Sequence, residues 1–467
     1  MRKISDGLKH FEKQRIPTEK PLYPFVGNLW NIWKEVGRIP WPLSFEGSRP
    51  TWNIADPDLI RDICIKEFDH FTDRRAFIKN DDKVLSKMMT TMKGQEWKDV
   101  RSAVSPVFSS GKIKKMSLLM ESCGETLVQH LREAVDKSQG VVDVKDQYGA
   151  YTLNVIATCA FGTKLDGLGK EDDPFAKHAR KFLVENPAVG NPLILIPFIF
   201  PWMMKLMPKI LPLEAIRFFR DLILDIMKRR KAEGNERGDA LDAMMEQEEK
   251  EREAGGEMVI TEEVIAAQSL TFFVAGFDTT ASMMNFLTYI LAIRPDIQDR
   301  LYEEIEKNVE ERANEDGIQR IILMGLLREC TKDCIIDGIM EFKEGDLIYI
   351  PVYAVHHCPD YYPDPEVFDP DRFVSPPSHR PMSMLAAREA GIAFFRFSPE
   401  AKSSIPQGAY LPFGIGPRSC IGMRFALEEG KLALCHVIRS FRVVRCEETP
   451  VSSLPAPLGC RNESLFE

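Results

Sequence analysis

The sequence predicts a mainly α-helical body with small β-sheets, an α+β fold carried as one domain over residues 1–467. Three observations lead there. From Gln95 to Leu301 apolar residues recur at helical spacing. Strand-like runs are short and confined to two places, TWNIA from Thr51 and the β-branched run from Asp346 to Val355. No internal repeat occurs at the periods of solenoids or propellers, which excludes a repeat architecture.

A chain of 467 residues can bury a large core and a bulky cofactor. Its 44% hydrophobic and 28% charged residues match an ordinary globular protein rather than a disordered or fibrous one. With 61 basic against 70 acidic residues the net charge is -9. No broad cationic field is available for phosphate backbones, so nucleic acid is excluded as a partner. The ten cysteines show no paired spacing, and free thiols in a reducing compartment are expected.

The first 28 residues are polar and basic, without the run of about 18 apolar residues that a spanning helix needs. LIRDICIKEF then has helical spacing. Residues 188–219 are densely apolar, but Pro192, Pro197, Pro201, Pro208 and Pro212 forbid one helix, so this segment reads as a membrane-facing patch. The charged stretch from Lys228 to Glu257 reads as solvated helix surface with a flexible connection.

The most informative helix begins after Thr261, an N-cap followed by Glu262 and Glu263, and runs until Pro295. Its middle, FFVAGFDTTASMMNF, is apolar nearly all round apart from Asp278, Thr279 and Thr280, which are expected where burial is costly. Pro359 to Pro370 reads as an irregular loop.

Tyr410 to Ala426, YLPFGIGPRSCIGMRFA, surrounds one cysteine with Gly414, Gly416 and Gly422, which let the backbone wrap closely, and with Pro417, which stiffens the approach. Amide N–H groups aimed at Cys420 would stabilise a thiolate, Phe413 would exclude water, and Arg418 would face an anion. That combination suits an iron-bound sulfur.

The run Phe-x-x-Gly-x-x-x-Cys-x-Gly, with Phe413, Gly416, Cys420 and Gly422 in register, resembles the signature of the cytochrome P450 family. The resemblance implies the P450 fold, haem b as cofactor and Cys420 as the axial ligand of its iron. Ala275-Gly276-Phe277-Asp278-Thr279-Thr280 is similar to the family's oxygen-activation segment, in which a local helix distortion, permitted here by Gly276, opens a groove. By the same resemblance Thr279 hydrogen-bonds dioxygen and Asp278 helps relay protons. Trp97, Arg101, Arg328, His356 and Arg418 match residues that hold haem propionates in relatives.

The resemblance covers nearly the whole chain and is strongest to the branch of drug- and steroid-oxidising liver enzymes and thromboxane synthase. Matching stretches include IADPDLIRDICIKEFDHFTDRR and IPVYAVHHCPDYYPDPEVFDPDRF. It implies a monooxygenase taking NADPH electrons through cytochrome P450 reductase, with cytochrome b5 as a further partner. Lipophilic substrate, dioxygen and peripheral contact with the cytoplasmic face of the endoplasmic reticulum membrane complete the expectation.

The chain departs from the family pattern at several points. No N-terminal anchor is found in it, and Trp30 to Phe45 is short for the usual opening elements. Gly317 stands where the Glu-x-x-Arg motif has its glutamate, leaving Arg320 and Arg372 as two cations without the carboxylate between them. Residues 374–397 form an insertion without counterpart, flanked by Arg372-Phe373 and Arg396-Phe397 as a retained intron would leave it. The tail 451–467 lacks the expected strand pair. Two other readings stay open: a haem-thiolate isomerase acting on a peroxide, and a non-catalytic relic, for which the broken Glu-x-x-Arg motif speaks.

Overall fold

The computed structural model describes residues 43–46, 49–74, 84–162, 174–183, 213–234, 237–308, 325–336, 338, 340–362, 364–365, 367–370, 405–447 and 449. Gly317, Arg320, Arg372, the 374–397 insertion, the 451–467 tail and residues 188–212 of the apolar segment lie outside them.

Two short strands, β1 (Leu43–Glu46) and β2 (Arg49–Asn53), open the described chain, followed by α1 (Pro57–Arg61) and a π-turn at Asp62–Lys66. Helices then dominate: α2 (Gly94–Val104), α3 (Ser110–Ser138), α4 (Val144–Phe161), α5 (Pro174–Leu183), α6 (Leu213–Glu233), α7 (Ala240–Ala254), α8 (Glu262–Ile293) and α9 (Pro295–Asn308). Next come β3 (Leu326–Glu329), β4 (Cys334–Ile336), β5 (Met340–Phe342), β6 (Leu347–Ile350), α10 (Val352–His356) and α11 (Met423–Ser440). The sheet order is β1-β2-β6-β3, with β2 parallel to β6 and the other pairs antiparallel, while β4 and β5 form a separate hairpin. This is the mainly α body with small sheets that the sequence predicts.

The run from Asp346 to Val355 is not one strand. Pro351 has no N–H to give a ladder, and the chain turns there into α10. The charged stretch is also less solvated than expected. Arg230, on α6, forks onto Asp239 at 2.8 and 2.6 Å and also pairs with Asp242, with Arg230 and Asp239 both buried. Glu248 is buried too, bonded by Lys231 and Arg252 at 3.0 Å each. Burial of these carboxylates is possible because each finds a cation and further donors across the α6–α7 junction.

Two buried clusters result. One joins α2 to α4 with α6, α7, α8 and α11; the other joins the sheet to Ala409, Leu411 and Ile415 of the cysteine loop. The loop therefore spans from one core to the other. Among the described residues α8 alone is long and apolar enough to cross a membrane, and it is the central helix of the larger core. All nine described cysteines are free thiols.

Candidate active site

The cysteine loop is held by its own backbone. Gly414 N donates to Leu411 O at 3.1 Å, Ser419 N to Gly416 O at 2.9 Å and Cys420 N to Phe413 O at 2.8 Å. Gly416 has φ 73°, and a Cβ there would lie 2.0 Å from Cys64 O, so only glycine lets the loop rest on the π-turn. Gly422 differs from expectation. Its φ of -88° suits any residue and a Cβ would meet nothing nearer than Phe108 at 3.8 Å, because its place is the N-cap of α11.

What Gly422 contributes is a backbone N–H near enough to the Cys420 sulfur to favour its thiolate. Burial raises the Cys420 thiol above its ordinary value, and the Gly422 amide, then the Arg101 and Arg74 charges, oppose that shift in favour of thiolate. Most of its surroundings are protein, yet the side chain keeps an accessible side. Phe413, 7% exposed, closes the loop from behind as expected.

Beside the sulfur lies a group of guanidiniums. Arg101 Nη2 donates to Ser419 O and Arg74 Nη2 to Arg418 O, each at 2.9 Å, gripping the loop just ahead of Cys420. Trp97 and Arg101 share one face of α2, as their spacing predicts. Arg418 is buried, lies 3.8 Å over the Trp97 ring and donates to Thr72 O, Met89 O and Met92 O. Burial, then the Arg74 and Arg328 charges, lowers Arg418 to about 9. Arg74 falls to about 10 through burial and then the charges of Arg328 and Arg101. Arg328, on β3, is buried, and its Nε makes no hydrogen bond.

His356 makes one hydrogen bond to the approach of the cysteine loop. Its Nε2 accepts from Leu411 N at 2.9 Å, so it holds the approach to the cysteine loop. Arg74, which sequence reasoning passed over, takes its place among the cations; the DRR run after Phe71 was the available signal.

The central helix presents its polar residues differently from expectation. Thr261 caps α8 by accepting from Val264 N, as predicted, but Ala275, Asp278 and Thr279 are exposed, while Thr280 is buried. The spacing of 275, 278 and 279 places all three on one face. An exposed patch midway along a helix whose flanking turns are buried marks an open recess. Phe108 ties this helix to α11, which follows the cysteine loop, edge-on to Phe272 at 5.0 Å and to Phe425 at 6.5 Å.

No break interrupts α8 at Gly276. Instead, Thr279 Oγ1 donates to Ala275 O at 2.6 Å and Thr152 Oγ1 to Phe277 O at 3.0 Å. Such side-chain donors loosen a helix without ending it. Gly276 is needed for close approach: a Cβ there would sit 2.8 Å from Ile156 Cδ1 on α4. Behind the patch, Thr280 faces Glu429 of α11, the most deeply buried acid among the described residues, and the two side chains touch without a well-formed hydrogen bond. Desolvation holds the Glu429 carboxyl well above its ordinary range. Glu429 was not among the sequence candidates.

Comparison with known proteins accords with this geometry. The Cytochrome P450 family model matches residues 27–324 and 317–464. The chain is 35% identical to Cytochrome P450 3A16 of Mus musculus over 98% of its own length and 90% of that protein. It is 33% identical to Cytochrome P450 3A2 of Rattus norvegicus, over 98% and 90%. With Cytochrome P450 9e2 of Blattella germanica it shares 32%, over 94% and 89%.

The family's haem b suits the residues present. An accessible sulfur lies beside an amide N–H, and four guanidiniums grouped near it, one of them with an unbonded Nε on Arg328, match the charge that two propionates would bring. Relatives matched over nearly their full length and a site shaped for a thiolate-bound haem agree: the chain belongs to the cytochrome P450 family of haem-thiolate monooxygenases.

Proposed function

We propose that this chain inserts one oxygen atom of dioxygen into a bulky lipophilic substrate, a steroid, lipid or xenobiotic. Electrons come from NADPH through cytochrome P450 reductase, with cytochrome b5 as a second donor. The observation that carries this reading is the exposed face of Ala275, Asp278 and Thr279, midway along the central helix that Phe108 packs against α11, the helix that follows the Cys420 loop. Resemblance to the drug- and steroid-oxidising branch supports the substrate class, and apolar residues 188–219 support peripheral attachment at the cytoplasmic face of the endoplasmic reticulum.

The residues divide the work. Cys420 ligates the iron, with the Gly422 N–H moderating the charge on sulfur. Bound there, haem b supplies oxygen activation, which the thiolate assists by donating electron density. Arg74, Arg101, Arg328 and Arg418 hold the propionates, and Trp97 supports Arg418 from beneath. Thr279 turns its hydroxyl from Ala275 O to dioxygen, and Asp278, exposed beside it, passes protons from solvent. Phe413 keeps water from the sulfur.

The test is turnover with reductase and NADPH under isotopically labelled dioxygen. One labelled oxygen atom in each product molecule is the expected outcome. A rearranged peroxide carrying no label would establish the isomerase reading instead, and haem-loaded protein that reduces dioxygen but oxidises nothing in a lipophile panel would establish the relic.

A further inference from the structure

Cys330 and Cys334 stand at the two ends of one turn. Cys330 prolongs β3, its N–H donating to Asp346 O at 2.9 Å and its carbonyl accepting from Gly345 N at 2.8 Å. Cys334 opens β4 opposite Phe342. Between them Thr331 N donates to His70 O at 2.8 Å, and the Asp333 carboxylate accepts from Glu344 N at 2.8 Å and from Lys343 Nζ at 3.1 Å. The turn is therefore fastened along its length, and the two cysteines keep their places relative to each other.

Both side chains turn to the apolar cluster that packs the sheet. Cys330 is 1% exposed within it, and Cys334, half-buried, packs against it. The two thiols meet there in a side-chain hydrogen bond, and Cys330 Sγ also donates to Lys332 O at 3.0 Å. Two cysteines in sulfur contact, one covered and one within reach of solvent, suit a division of labour in which the open thiol takes up an oxidant and the covered thiol displaces it.

We propose that Cys334 and Cys330 are a modification site, closed by hydrogen peroxide into a reversible disulfide. The surroundings select the oxidant. Cys334 is only partly open, and the carboxylates of Glu67, Asp333 and Asp346 lie about it. A small neutral molecule enters such a place, whereas a bulky anion such as glutathione disulfide is repelled. Burial raises the Cys334 thiol, and the contact with Cys330 opposes that shift. Burial, then the neighbouring Cys334, raises the Cys330 thiol further, to about 12. Cys334 is thus the attacking sulfur, and a thiol so little ionised answers sustained peroxide rather than a brief pulse.

The chemistry balances within the pair. The Cys334 thiolate attacks one peroxide oxygen, an S–O bond forms, the O–O bond breaks, and the departing hydroxide takes up the thiol proton as water. The Cys330 sulfur, giving up its own proton, then attacks the Cys334 sulfur; the S–S bond forms and the S–O bond breaks, releasing a second water. Two thiols lose two electrons and two protons, and one peroxide becomes two waters. On the proposed oxygenase reading, an iron site that reduces dioxygen without reaching substrate releases this same oxidant, so the chain can mark its own wasted turnover. That source rests on the oxygenase reading; the reactive pair does not.

The test treats haem-loaded full-length protein with hydrogen peroxide, raising the dose until partly exposed Cys358 is oxidised, then blocks the remaining thiols and digests with trypsin in the absence of reductant. Cleavage after Lys332 parts the two cysteines, so Glu329–Lys332 and Asp333–Lys343 stay joined only through the disulfide. The expected result is loss of the separate peptides in favour of the joined pair, which reductant parts again. In Cys330→Ala the joined pair should vanish and dimedone, which captures sulfenic acid, should label Cys334. In Cys334→Ala, Cys330 should take no label. Separate peptides at that dose, or dimedone on Cys330 rather than Cys334, overturn the proposal, and the wild-type result decides even where a variant fails to fold. Glutathione carried on Cys334 after treatment with glutathione disulfide would overturn the choice of oxidant. Turnover with reductase and NADPH should form the same joined pair, and catalase should prevent it. Peroxide release without that pair would overturn the internal source, while turnover that yields neither peroxide nor oxidised product would count against the oxygenase reading alone.

Discussion

Thr279 gives its hydroxyl to Ala275 O in this structure, a bond that a hydroxyl facing a recess can exchange for one to a bound ligand. Thr279→Ala is expected to retain the thiolate-ligated spectrum while raising peroxide released per NADPH consumed several-fold, because a proton-delivery group is lost. Equal peroxide release in variant and wild type would remove Thr279 from proton delivery. Glu429 makes a different prediction. Its folded-state pKa is raised by desolvation above the ordinary 4.5, so the stability it contributes is present below that value and lost as pH rises through the folded pKa. Glu429→Gln should match the wild type in melting temperature at acid pH and exceed it increasingly toward alkaline pH. Parallel melting curves across that range would show that the carboxyl is not held protonated.

These residues also show what a sequence can reveal at this scale. Cys420 was expected from its motif and Trp97, Arg101, Arg328 and Arg418 from resemblance to relatives, and the structure groups these cations near the cysteine loop. Glu429 was not expected, since it takes its meaning from a partner far along the chain, Thr280. His356 was expected from resemblance, and only the fold shows that its Nε2 also accepts from Leu411 N.

At the scale of elements, the packing of α4 against α8 turns on Gly276. An alanine there gains about 0.5–1 kcal/mol of helix preference. Against that gain its Cβ would meet Ile156 Cδ1 at 2.8 Å. The two effects should separate in a double-mutant cycle: Gly276→Ala is expected to be more favourable by about 1 kcal/mol in an Ile156→Val background, which lacks that methyl, than in the wild type. Additive denaturation midpoints would mean that the contact is relieved elsewhere.

Element boundaries were legible where chemistry is local. Thr261 caps α8 because its own side chain reaches Val264 N, and the helix ends before Pro295, as both residues predict. The Asp346–Val355 run misled because β-branched residues serve a strand and a following short helix equally, leaving Pro351 as the sole break. The Lys228–Glu257 run misled for the opposite reason. Charge density reads as solvent exposure, whereas Arg230 neutralises buried Asp239, and Lys231 and Arg252 neutralise buried Glu248, across two helices.

Across the whole molecule, the cysteine loop bridges the helical and sheet cores, and the cations gathered beside it repel one another until an anion joins them. Haem binding should therefore tighten both cores at once. Holding haem at about a thousand times its dissociation constant adds about 4 kcal/mol to folding stability, so removing it should lower the melting temperature by several degrees. The fold class was readable at this scale because helical periodicity over Gln95–Leu301 is a bulk property. The joining of the two cores through one loop was not, since it depends on Gly416 resting on the carbonyl of Cys64.

The central claim is that Cys420 binds haem iron as a thiolate. The carbon monoxide difference spectrum of the reduced, purified full-length chain tests it most directly, with Cys420→Ala measured alongside. A red-shifted Soret band in the wild type, absent from the variant, is the expected result; haem-loaded wild-type protein without that band, or a variant that retains it, would contradict the claim.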